Sequence, residues 1–311
     1  MRLFFLLILL LTSFSFNLAG QSLTKYYGQS ITEQPQLLAP GIISTDQGEY
    51  SPAFDINRNE LFFMRRTPGV FDYTIYISHF KNGSWSKPVI APFSGSFRDA
   101  GISLSPDGNK AFFDSSRPVS GYQTESINAW TVNRETNGWS AEAILLDGSS
   151  KDASDEPTPG RDEFGPVVDG DGNLYIYSFR QPYRNGSRFI SEAPDYLNVE
   201  RSTSIPDPST GTFVSYLYIS PDGRTALMDG RSDREASGSI YFSCLSDQGY
   251  WSEAELLPII NEQGGVGGPS LSSDGEWLFF AGDYRNSNES PGNSDLYMIS
   301  TKNLPVPCKQ K

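Results

Sequence analysis

The chain is 311 residues long with a formal net charge of −13, 13% aromatic residues, 29 glycines, 21 prolines and a single histidine. Such acidity repels nucleic acid and anionic membrane surfaces, so neither is expected as a partner. Frequent Gly, Pro and aromatics point to many short strands joined by tight turns, and no long segment carries apolar residues at helical spacing.

Residues 1–20 read as a signal peptide: Met1-Arg2, an apolar run over 3–11, then the small residues Ala19-Gly20. The run is too short for a spanning helix. Cleavage there predicts an exported chain, periplasmic or extracellular, with no membrane insertion of the mature part. Residues 21–311 are then expected to form one domain.

Within that domain one pattern recurs five times: an apolar strand, an Asn- or Asp-centred turn, and a second strand dense in aromatics. The copies are PAFDINRNELFF (52–63), ISLSPDGNKAFF (102–113), PVVDGDGNLYIY (166–177), LYISPDGRTALM (217–228) and PSLSSDGEWLFF (269–280). The turn residue falls at Asn57, Asp107, Asp171, Asp222 and Asp274, at intervals of 50, 64, 51 and 52 residues. Asp-Gly supports the φ > 0 that a tight hairpin between twisted strands requires. A third strand follows each pair, at 73–78, 127–132, 187–191, 239–244 and 295–300. Trp85-Ser86, Trp139-Ser140 and Trp251-Ser252 then open a fourth; the third unit lacks the Trp and has Tyr196 near that place. Four antiparallel strands per unit is the pattern of a propeller blade. Blades are expected at about 41–94, 95–150, 151–210, 211–260 and 261–302. The fifth unit stops after its third strand, while QPQLLAP (34–40) looks like a displaced fourth strand. The expectation is an all-β, five-bladed β-propeller of four-stranded antiparallel blades, closed by that N-terminal strand.

The S-P-D-G turn, the strand after it, the D-L-Y-like third strand and the N-G-x-W turn resemble the WD-like propeller repeat of TolB-type periplasmic proteins. The stretch 251–286 is especially similar to versions in cell-envelope proteins of Bacteroidetes. Five blades in place of six is a departure. For function the resemblance implies a binding and scaffolding module.

Aligning the inner strands on their turns brings Glu49, Asp99 and Glu163 to one level, two residues before Ser51, Gly101 and Gly165. Strand alternation then suggests a half-ring of carboxylates facing the axis at the channel mouth. Loops after the second strands carry Arg66, Arg117, Arg180, Arg231 and Arg285, with Tyr73, Tyr122, Tyr183 and Tyr284 nearby. Two readings stand side by side. Each Arg braces an inner-strand carboxylate, or the set lines a cup at the channel mouth that binds a glycan or protein.

Hydrolysis is the competing class. Phe97-Arg98-Asp99 is similar to the Arg-Asp motif of five-bladed arabinanase- and invertase-type glycosidases, which implies Glu49, Asp99 and Glu163 as the acid, base or nucleophile. Glu49 departs from the Asp of that group, and its Asn-Asp-Pro motif is missing near the first strand. No cofactor or metal is expected. His79 stands alone, and the Asp169-to-Asn173 segment lacks the glycine and terminal Glu of a calcium loop. Cys244 and Cys308 could form a disulfide pinning the C-terminal tail or remain separate thiols.

Overall fold

A computed structural model describes residues 33–66, 73–119, 126–146, 162–179, 186–194, 196, 198–208, 213–231, 238–262, 264–284 and 294–308. The signal-peptide reading of residues 1–20 falls outside these. The chain forms five small antiparallel sheets arranged as a five-bladed β-propeller. The inner strands are Glu49–Asp55, Asp99–Leu104, Glu163–Val168, Phe213–Ile219 and Val266–Leu271. Each pairs outward with a second and a third strand before a short fourth. Among the described residues no helix is long and apolar enough to cross a membrane.

The aromatic pairs explain how the blades cohere. Successive strand residues point to opposite sheet faces, and in a propeller those faces meet different neighbours. Phe62 packs into the cluster shared with blade two, while adjacent Phe63 packs into the cluster shared with blade five. Phe112 and Phe113 divide the same way, as do Phe279 and Phe280. All six rings are at most 1% exposed. A double Phe in the second strand therefore serves two interfaces at once.

The turns follow their sequence. Gly108, Gly172, Gly223 and Gly275 have positive φ, and Asn59 takes that role in blade one. In the Ser-x-Asp-Gly turns the Asp carboxylate accepts from the Ser hydroxyl and from a backbone N–H two residues on, as with Ser105, Asp107 and Asn109. Asp169 caps the N–H groups of Asp171 and Asn173, so that segment is a hairpin turn. Among the described residues no group of His, Cys, Asp or Glu could hold a metal ion.

Closure uses both ends of the chain. Gln36–Leu37 pairs with the third strand of blade five, Gln36 opposite Met298 and Leu37 opposite Tyr297. Ser44 Oγ then donates to the Leu296 carbonyl and accepts from its N–H. Cys244 and Cys308 are disulfide-bonded, tying the C-terminal tail to blade four. Trp85 and Trp139 are both 6% exposed and sit in interblade clusters, whereas Trp251 is only half-buried. Tyr196 is buried in the cluster between blades two and three.

Candidate functional site

Glu49, Asp99 and Glu163 each begin an inner strand and are all 0% exposed. They do not form an open half-ring facing the axis. All three are sealed from solvent. Glu49 accepts from the Thr45 N–H and hydroxyl at 3.0 and 2.6 Å, and from Arg65 Nε at 3.0 Å. Arg65 also donates to the carbonyls of Ile42 and Ile43. Asp99 Oδ1 accepts from Ser115 Oγ at 2.7 Å and Arg117 Nη1 at 2.5 Å, and Oδ2 from Ser94 and Gly95. Glu49 and Asp99 thus each fasten the segment that enters their own blade. Burial pushes the carboxyls of both Glu49 and Asp99 above the ordinary range, outweighing the hydrogen bonds and guanidinium that pull them down. The pairing expected to lower these pKa values is present, but desolvation overrides it.

The arginines do not share one structural position. Glu49 lies opposite Arg65, Asp99 opposite Ser115, Glu163 opposite Ser178 and Val214 opposite Gly230. Arg66 and Arg231 are therefore one residue beyond that level and Arg117 two. An odd offset reverses the side-chain direction. So Arg65, which alignment on the loops passed over, holds Glu49. Arg117 is packed over Phe113, Trp130 and Phe97. Arg66 is half-buried and Arg231 exposed. The Tyr284 hydroxyl donates to the Ile260 carbonyl, and its ring packs 4.7 Å from that of Tyr297. Arg180, Arg285, Tyr122 and Tyr183 lie outside the described residues.

Two features at the axis escaped sequence reasoning. The first is a bulge in every inner strand. Ser51, Gly101, Gly165 and Gly268 all have positive φ there, and in three blades the bulge N–H is capped from the preceding blade. Gly101 donates to Met64 Sδ, Gly165 to Asp114 Oδ2 and Gly268 to Asp229 Oδ2. Asp114 is also held by Arg98 at 2.5 Å, whose guanidinium lies between the rings of Tyr73 and Phe164. The acids in FFDSSR and LMDGR, isolated within apolar second strands, were the available signal.

The second is Tyr216, which stands where the other inner strands carry Gly or Ser. Its hydroxyl donates from blade four to the Ile102 carbonyl of blade two, and burial pushes its pKa far up. The phenol therefore bridges two non-adjacent blades. Below it, toward the Asp-Gly turns, a well of about 750 Å³ including its open mouth is lined by all five inner strands.

No family model matches the chain, and no curated protein matches it either. Solved structures do share the fold. TolB from Acinetobacter baumannii is 15% identical with a TM-score of 0.48, covering 82% of this chain and 55% of that one. This chain thus spans about half the length of that TolB. An α-L-arabinofuranosidase from Podospora anserina, solved with cellotriose, is 12% identical with a TM-score of 0.54, covering 87% and 98%. An endo-arabinase from Bacteroides thetaiotaomicron is 10% identical with a TM-score of 0.52, covering 83% and 96%. At these identities the likeness is one of fold alone.

Proposed function

We propose that this chain is an exported, periplasmic or extracellular, non-catalytic binding or scaffold module that takes a protein or glycan at its channel-mouth face. The observation that carries the reading is the state of the carboxylates. Glu49 and Asp99 are sealed from solvent and bound to Arg65 and Arg117, and Glu163 is sealed likewise. A hydrolase needs its acid and its base or nucleophile at the substrate, flanking the scissile bond. Here Glu49 and Asp99 fasten backbone. Recognition falls instead to side chains where the second strands end and their loops begin, with Arg66 and Arg231, the last residues of their strands, as accessible cations among the described residues. The repeat resembling TolB-type propellers fits a module of this kind.

The competing reading is a glycosidase-like hydrolase using Glu49, Asp99 and Glu163. One observation favours it: the raised carboxyls of Glu49 and Asp99 are what a general acid requires. The two are separated by the triple variant Glu49→Gln, Asp99→Asn, Glu163→Gln. On the binding reading wild type hydrolyses nothing in a broad glycan panel and the variant loses thermal stability. Robust wild-type hydrolysis, lost in a variant that remains folded, would establish the hydrolase. A glycan array and pull-down comparing wild type with Arg66→Ala and Arg231→Ala then identify the ligand class.

A further inference from the structure

The well on the turn face is a feature that the channel-mouth reading does not use. Its lining is mostly apolar. Pro52, Pro166 and Pro269 follow the bulge in blades one, three and five, so three inner strands present no N–H toward the axis there. The carbonyls of Pro52 and Pro166 accept from Ser270 and Ser103, at 2.7 and 2.6 Å. The hydroxyls of Tyr216 and Tyr218 donate to Ile102 and Leu271. With these groups satisfied internally, the well offers a ligand the surfaces of Pro52, Leu104, Tyr216 and Pro269.

The mouth has the opposite character. The turns bordering it carry the exposed carboxylates Asp107, Asp222 and Asp274. Two neighbouring cations are already engaged: Arg58 binds Asp55 at 2.8 Å and Arg224 binds Asp247 at 2.6 Å. Lys110 remains as an exposed cation beside these turns. A chain of net charge −13 adds to the negative field.

We propose that this well is a second binding site, for a small organic cation with an apolar body, on the face opposite the channel mouth. A mostly apolar pocket open at one end suits a small molecule, and the acidic rim selects the sign of its charge. Tyr216 is the floor that turns the central channel into a blind site. The two faces can therefore bind independently.

The test uses the mature chain with three probes of similar bulk, benzyltrimethylammonium, benzyl alcohol and phenylacetate, followed by calorimetry and ligand-observed NMR. The cation should bind at least tenfold more tightly than phenylacetate, with affinity falling as salt rises. Asp222→Asn with Asp274→Asn keeps the acceptor oxygen each turn uses and should weaken the cation roughly three- to tenfold. Leu104→Trp should abolish binding by filling the well; if it fails to fold, Ser273→Trp at the mouth replaces it. Equal binding of anion and cation, or cation binding untouched by the aspartate and tryptophan variants, would overturn the proposal.

Discussion

Asp114 in blade two accepts the N–H of Gly165 in blade three at 3.1 Å, and a Cβ placed on Gly101 would lie 2.2 Å from the same carboxylate. One acid therefore leaves no room for a side chain at Gly101 and joins neighbouring blades at the axis. Asp114→Ala would strand the part-buried Arg98 guanidinium and the buried Gly165 N–H, and should cost roughly 3 kcal/mol. Gly101→Ala, at φ +63° and against that carboxylate, should cost at least about 2 kcal/mol. Denaturant midpoints of the two variants check both values. A midpoint unchanged in Asp114→Ala would show that the latch contributes nothing.

The aromatic repeat makes a graded prediction. Trp139 stands edge-on to Phe62 at 5.4 Å, lies under Arg134 at 4.2 Å and donates its indole N–H to Glu60 at 3.2 Å. Trp139→Ala should cost ~3–5 kcal/mol, as a buried ring does. Trp251 occupies the equivalent place in sequence but is half-buried, so Trp251→Ala should cost less than about half as much. Equal losses would mean that exposure does not set the scale here.

How much of this was readable beforehand follows from which signals are local. Hairpin turns, strand order and the closing strand depend on spacing and on residues such as Asp107-Gly108, so the sequence carried them. The direction of Glu49 does not depend on spacing alone. A bulge between Tyr50 and Ala53 shifts the register, and the partner of Glu49 is fixed by pairing with Arg65, not by its distance from a turn. Tyr216 was visible as the odd residue among Gly and Ser, yet its reach to Ile102 crosses the axis and has no counterpart in the linear repeat.

The tail gives a prediction about closure. The Cys244–Cys308 disulfide spans 64 residues, and the Cys308 N–H donates to Thr225 Oγ1 at 2.8 Å. Opening a loop of that length by Cys244→Ser with Cys308→Ser should lower stability by about 2–4 kcal/mol. Reduction of wild type should reproduce the loss. A melting temperature insensitive to reductant would show that Gln36–Leu37 closes the ring alone.

The buried carboxylates make the last prediction, about pH. Burial raises the folded-state pKa of Glu49 and Asp99 above their ordinary values near 4. A group raised on folding contributes stability that is complete below its unfolded pKa and is lost as pH climbs through the folded one. These two acids therefore favour the folded state most at acidic pH, the reverse of ordinary ion-paired carboxylates. The double variant Glu49→Gln, Asp99→Asn lacks both titrations. Its stability deficit relative to wild type should be largest near pH 4 and shrink as pH rises toward 7. Urea unfolding of both chains at half-unit steps measures the difference directly. A deficit that grows with pH would mean that Arg65 and Arg117 outweigh desolvation, leaving both groups ionised and far from any role as a general acid.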